Sequence, residues 1–202
     1  MFEWLSSNSS ALQVILNAVM VLIWVVYLQV FFTSFRRQRR PEIIISLGAG
    51  FGKQASWFVA NLGLEPVFVV DIIVRFETAS GIAEAIVTDR TEMSDKDLAN
   101  PAEATNQGPL SSGSFMSIGN LETLLQRGNV EIGHASEIRG LTITVVAATA
   151  AQGMVVGASR HYRLQSSDDG DWYLLATKLH TEQIRGRAGR RDLARRLEDR
   201  LG

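Results

Sequence analysis

The sequence contains no cysteine, which excludes a disulfide scaffold, a thiolate zinc site and a cysteine nucleophile. It has three histidines, His134, His161 and His180, so few groups are available for acid–base or metal chemistry. It also lacks a charge excess: 20 basic and 21 acidic side chains leave a net charge of -1, which excludes a chain that binds nucleic acid as a uniformly basic body. No serine occupies a G-x-S-x-G elbow, and Ser111-Ser112-Gly113-Ser114 has no assignable base, so a catalytic triad is not supported. Disorder is excluded by a hydrophobic content of 46% against 20% charged residues.

What the chain does have is a long apolar run. Leu12–Phe32 is 21 residues without Asp, Glu, Lys or Arg. As a helix it spans roughly 30 Å, the hydrocarbon thickness of a bilayer. A cleaved signal peptide fits less well, because Met1–Ala11 carries Glu3 and no base, and no A-x-A site follows the run. Arg36, Arg37, Arg39 and Arg40 follow the run and no base precedes it. The positive-inside bias therefore predicts a single pass through the inner membrane, with the N-terminus outside and the C-terminal domain cytoplasmic. The same four arginines are expected to contact anionic lipid headgroups. Gln13, Asn17, Met20, Trp24, Tyr27 and Phe31 recur at alternating spacings of four and three, one stripe along the helix. Lipid cannot satisfy the carboxamides, so this stripe is a candidate interface with another membrane protein or a second copy. The alternative places Gln13 at the headgroups and Tyr27 in the aromatic belt, with Asn17 bonded to its own backbone.

Charge divides the chain into three parts. Residues 1–40 form the anchor and basic juxtamembrane segment; 41–181 is acidic; 182–202 is a basic amphipathic tail with seven arginines against four acids between 181 and 202. The acidic part reads as strands: Glu42–Leu47, Ala55–Ala60, Pro66–Thr78, Ile82–Asp89, Leu141–Thr149, Val155–Gln165 and Trp172–Thr181. In Pro66–Thr78 the alternation predicts Phe68, Val70, Ile72, Val74 and Phe76 on one face, with Asp71, Arg75 and Glu77 on the other. A helix is predicted over Leu121–Arg127, capped by Asn120 and ended by Gly128, and a further turn after Ser94. Asn100–Ser114, rich in Pro, Gly, Ser, Asn and Thr, is predicted to be a mobile loop. The expected class is mainly β: a transmembrane helix, then an antiparallel sandwich with one or two short helices and a basic C-terminal helix. The turn Asn61-Leu62-Gly63-Leu64-Glu65-Pro66 resembles turns in immunoglobulin-like sandwiches of bacterial single-pass membrane proteins of unknown role. That resemblance implies an immunoglobulin-like fold over about 41–181 and a binding or assembly role, with no catalytic residues.

Candidate chemistry is sparse. Gly48-Ala49-Gly50-Phe51-Gly52-Lys53 follows a strand but lacks the third glycine of a dinucleotide fingerprint and the Ser/Thr of a phosphate loop. A strand rather than a helix follows it, so a hairpin turn is the better reading. Asp168, Asp169 and Asp171 lack the remaining positions of an EF-hand loop and read as a solvated turn. A hairpin centred on Asp169-Gly170 faces Tyr162 with Thr177, Leu164 with Leu175, His161 with Lys178 and His180 with Ser159. It makes the two histidines diagonal neighbours beside Arg163 and Lys178, whose charges oppose a bound cation. In the tail, Leu193, Leu197 and Leu201 form one stripe, and Arg190, Arg191, Arg195, Arg196 and Arg200 cover much of the rest, as in a helix that meets a membrane surface or a partner. No cofactor, metal or nucleic-acid partner is expected. The expected function is a membrane-anchored, non-catalytic interaction or assembly module. A tethered sensor for a small ligand is the alternative, and an enzyme with an unrecognised site the third reading.

Overall fold

The computed structural model describes residues 8–38, 40–48, 55–89, 105–130, 138–149, 154–166 and 172–201. The chain divides into two compact units, Met1–Arg40 and Pro41–Gly202. In the first unit, helix α1 runs from Ser9 to Gln38. It contains neither proline nor glycine, so nothing in it interrupts the hydrogen-bond ladder. Its Ser9–Phe35 portion, 27 residues, is long and apolar enough to cross a membrane. The apolar side chains are bare within the unit: Val14 is 67% exposed and Leu22 65%. Along the helix Trp24 meets Tyr27 edge-on at 6.0 Å, and Phe31 stacks on Phe35 at 6.0 Å.

The second unit is mainly β, and its paired strands all run antiparallel. A small sheet joins β1 (Ile43–Leu47), β2 (Ser56–Asn61) and β6 (Phe115–Asn120) in the order β1-β2-β6. A larger one is built on three long strands, β3 (Val67–Thr78), β7 (Ile138–Thr149) and β8 (Val155–Ser166), with β7 between the other two. The outer edge of β3 is shared by β4 (Ile82–Ile86) and β5 (Gly108–Leu110), and that of β8 by β9 (Trp172–Ala176) and β10 (Glu182–Ile184). One hydrophobic cluster draws on both sheets, with Ile43, Ile45, Trp57 and Val59 from the small one and Leu141, Ile143, Val145, Ala147 and Tyr162 from the large one. The Trp57 and Tyr162 rings meet edge-on, 5.8 Å apart.

The edge of β1 is closed by side chains. Thr181 Oγ1 accepts a hydrogen bond from Ile45 N–H at 3.1 Å. Gln183 Nε2 donates to Ile43 O at 2.5 Å, while its Oε1 accepts from Ile43 N–H at 3.3 Å. Arg185 donates to Pro41 O and pairs with Glu42 at 2.5 Å. From β8, Arg160 donates to Ile45 O at 2.5 Å and Tyr162 OH reaches the same oxygen at 3.4 Å. Burial pushes the Tyr162 hydroxyl up to about 12, against the opposing pull of the Arg160 charge and the Trp57 indole.

Several sequence expectations shift, each for a local reason. In β3 an irregularity between Val69 and Asp71 inserts one residue, so the inward set is Val67, Val69, Ile72, Val74 and Phe76. Phe68 is left 48% exposed, and Asp71 is buried, accepting from Thr88 Oγ1 at 2.5 Å. The segment expected to be a loop before Ser114 contains β5, because Gly108–Leu110 finds an open stretch of β3 at Val67–Val69. Residues 90–104, including Ser94, lie outside the described residues. Trp172–Thr181 is shorter as a strand, ending at Ala176 before a bend. Helix α2 (Leu121–Arg127) is capped by Asn120 Oδ1, which accepts from Thr123 N–H at 2.9 Å. It ends at Gly128, yet the left-handed residue is Asn129, with φ 47°. Gly128 is required by close approach, since a Cβ there would stand 2.6 Å from that of Ala85.

The tail forms helix α3 (Arg187–Leu201), part of the same compact unit as the sheets. Leu193 is buried and clusters with Ile73 and Val146, while Leu197, Ile86, Val155 and Ile184 pack around them. A Cβ at Gly157 would lie 2.6 Å from Leu193 Cδ1, so glycine makes room for the helix. Leu193 and Leu197 of the leucine stripe therefore anchor α3 to the large sheet. Leu193→Ala in the full-length, detergent-solubilised chain is expected to destabilise the domain by about 2–4 kcal/mol. A urea titration followed by tryptophan fluorescence measures it, and an unchanged midpoint would contradict this packing.

Candidate functional site

The register of the large sheet lays polar residues in rows across its outer face. Thr142 lies between Arg75 and His161, with Glu84 beyond Arg75. The next row holds Ile73, Thr144, Ser159 and Glu182. The row after that holds Val146, Gly157 and Ile184 beside the buried Asp71, and α3 covers its apolar part through Leu193. Strand alternation sets which residues face outward, and distance from the helix decides which stay open.

The open part is a cleft of about 440 Å³. Its floor is Thr142, Thr144, Ser159 and His161; one wall is α3 with Gly189, Asp192 and Arg196, and the other is the bend carrying Lys178 and His180 with Glu182 at the start of β10. Thr142 Oγ1 and His161 Nδ1 share a hydrogen bond of 2.9 Å, and Thr144 donates to Ser159 at 3.2 Å. Glu77 Oε1 stands 4.0 Å from His161 Nδ1 and 3.4 Å from Arg75. Charges pair around the cleft: Arg196 with Glu84 at 3.1 Å, and within each wall Arg196 with Asp192 at 3.0 Å and Lys178 with Glu182. The charge of Arg196 and its hydrogen bond hold the Asp192 carboxyl below the usual carboxylate value, and Arg195 adds to the effect. Among the described residues no three His, Asp or Glu side chains converge as a metal site would need. The cleft offers hydroxyls and imidazoles to a polar group, but its carboxylates are occupied by arginine and lysine.

The histidine pair arises by a different register from the one expected. Tyr162 faces Ala176 and Leu164 faces Leu174, which brings Leu174 against the core and turns Tyr173 and Leu175 outward. The bend at 177–180 then lets Glu182, not His180, face Ser159. His161 and His180 still line one cleft with Lys178, while Arg163 is not among its lining residues. His134 and Asp168, Asp169 and Asp171 lie outside the described residues, as do Ala49–Gln54. Gly48 is described; its N–H donates to Ser56 O at 2.8 Å, and a Cβ there would meet the Phe58 ring at 2.3 Å.

The other candidate residues fall as follows. Gln13, Asn17, Met20, Trp24, Tyr27 and Phe31 lie on α1 and are exposed within the unit. Arg40 is exposed; Arg39 and the side chains of Arg36, Arg37, Arg200 and Leu201 lie outside the description. In α3, Arg190 approaches Met154 Sδ at 2.6 Å, and Arg196 faces the cleft. Arg187, Arg191 and Arg195 form the exposed row, four residues apart. Arg75, Glu84, Thr142, Thr144, Ser159 and Asp192 were not anticipated as site residues. The signal for the hydroxyls was present: polar side chains at every second position inside strands that are otherwise apolar.

No protein-family model matches the chain, and no curated protein does. The ion pair of α3 gives a test of the cleft. A carboxylate whose folded value is depressed stabilises the fold above its ordinary value, about 3.9, and loses that contribution as the pH falls through the lower folded value. Carbon-detected NMR of the full-length chain should show Asp192 titrating below the ordinary range. In Arg196→Gln its midpoint should rise toward that range. An identical midpoint in both proteins would refute the pairing.

Proposed function

We propose that this chain is a single-pass inner-membrane protein whose cytoplasmic domain, an immunoglobulin-like β-sandwich, acts as a non-catalytic interaction or assembly module. The observation that carries the reading is the exposed apolar surface of α1: a stretch of 27 residues long and apolar enough to cross a membrane, in which Val14, Leu22 and Trp24 stand 67%, 65% and 65% exposed and call for an apolar partner that water is not. Lipid supplies that partner. Arg36, Arg37, Arg39 and Arg40 follow the apolar stretch, so the bias of basic residues toward the cytoplasm favours an external N-terminus. The headgroups of anionic lipids are their expected contacts. The stripe of Gln13, Asn17, Met20, Trp24, Tyr27 and Phe31 supports association with another membrane helix or a second copy.

For the domain, the interaction reading is supported by a filled core and by a surface cleft whose charged groups already neutralise one another. A second reading, a tethered sensor for a small polar ligand, is favoured by the hydroxyl and imidazole floor of that cleft. Among the described residues of the tail, the row Arg187, Arg191 and Arg195 is exposed to meet a partner or the membrane.

Topology can be tested without background labelling, because the chain has no native cysteine. A membrane-impermeant maleimide on intact spheroplasts should label Ser6→Cys and should reach Ser80→Cys only after lysis. The reverse pattern would refute the orientation. If the polar stripe joins helices, Asn17→Leu should lower cross-linked oligomer in detergent by roughly 3- to 30-fold, the range expected for one such hydrogen bond. An unchanged yield would remove the stripe from the proposal.

A further inference from the structure

The turn between β2 and β3 is held rigidly, yet it exposes two leucines. Asn61 is fully buried and its carboxamide is satisfied: Nδ2 donates to Glu65 O at 2.9 Å and to Leu110 O at 3.0 Å, and Oδ1 accepts from Gly63 N–H at 2.9 Å. Its backbone bonds Ser114 O at 3.0 Å and Gly113 N–H at 2.8 Å. Leu62 N–H donates to Glu42 O at 2.8 Å. Asn61 and Gly63 thus point inward, while Leu62 and Leu64 alternate outward at 57% and 65% exposure. This bonding fixes the backbone, and neither leucine contributes to the domain's clusters.

The position of the turn says what covers it. A Cβ on Gly63 would stand 3.1 Å from Glu42 N and 3.2 Å from Pro41 Cα, so the turn lies directly on the residues where the chain enters the domain. Five residues, 36–40, separate Phe35 from Pro41. The first three belong to α1, so the stretch reaches less than the roughly 17 Å of five fully extended residues. Four of the five are arginines, which favour the headgroup layer over bulk water. Two carboxylates accompany the turn, Glu65 within it and Glu42 at its base; Glu42 is paired with Arg185 at 2.5 Å, which offsets its repulsion of anionic headgroups, and the four arginines outnumber Glu65.

We propose that Leu62 and Leu64 are a lipid-inserting tip that seats the domain on the surface of the bilayer that holds its anchor. The proposal rests on the reading of α1 as that anchor. Asn61 gives the tip its fixed shape, so the leucines enter the interface without ordering a loop first. Two side chains are too few to hold a soluble protein on lipid, but the tether supplies a high local concentration and the tip then sets the domain's orientation.

The test uses the full-length chain in vesicles of phosphatidylethanolamine and phosphatidylglycerol. Single cysteines replace Leu62, Leu64, Ser80 or Val21, each labelled with an environment-sensitive dye. Ser80 is exposed and follows the far end of β3, whose 12 residues carry it roughly 40 Å from the turn. Spin-labelled lipids, with the nitroxide at shallow and deep acyl positions, serve as quenchers. The shallow quencher should lower the signal at Leu62→Cys and Leu64→Cys roughly twofold or more and leave Ser80→Cys unchanged, with Val21→Cys quenched most by the deep one. If positions 62 and 64 behave like 80 while 21 is quenched, the anchor stands and the tip is wrong; the leucines then face water or a protein. If 21 is not quenched either, the anchor reading fails and the tip with it.

Discussion

The hydrogen bonds from Thr181, Gln183 and Arg185 to the backbone of β1 are the constraint on which the domain is arranged. Their spacing of two matches the spacing of Ile45, Ile43 and Pro41, running in the opposite direction. The side chains thus reproduce an antiparallel ladder without a strand. An edge strand left open would present unpaired N–H and C=O groups, which invite pairing with another chain. Here those groups are satisfied from the far sheet, which fixes the distance between the sheets at that margin. Trp57 and Tyr162 can then meet edge-on behind it. Beyond Arg185 the chain starts α3, so the same ladder also sets where the helix begins on the outer face.

From that start the chemistry of the outer face decides the rest. Nearest the helix stand Val146 and Ile184, with glycine where Leu193 must descend, and these bind it. The rows farther along carry threonine, histidine and charge, and they remain open. One sheet face therefore serves as core at one end and as surface at the other. The cleft sits at the border between the two, lined by one turn of helix and one bend of strand. Pairing of Arg196 with Glu84 ties β4, which is otherwise an edge, to the helix. At the opposite margin of the small sheet, Arg127 donates to Ile118 O at 3.0 Å and occupies part of the other edge.

Much of this was legible in the residues. Alternation identified Leu141, Ile143, Val145 and Ala147 as one inward row, because nothing interrupts β7 there. Asn120 announced α2 through its side-chain oxygen. The leucine period of the tail was legible too, but its destination was not, since a sheet face and a membrane ask for the same stripe. The phase of β3 was hidden because its extra residue, Val70, is as apolar as the valine before it, so the bulge ahead of Asp71 leaves no mark of its own. β5 was hidden by composition. Its three residues look like loop, and only the vacancy along β3 makes them a strand. The cleft depends on register across four strands and on where α3 lies, neither of which is a local property of sequence. Asn61 falls between these cases: its place in a turn was visible, while its burial and full bonding needed the fold.

The ladder on β1 also dictates an order of events during translation. Its partners lie 136 to 144 residues downstream. At about 5–20 residues per second, the ribosome takes roughly 7–29 s to supply them after β1 has emerged. Throughout that interval β1 can pair with β2, yet its outer margin has nothing to close it. The domain is therefore completed last at the place where it began, and a nascent chain stalled before residue 181 would hold a hairpin with one sticky side.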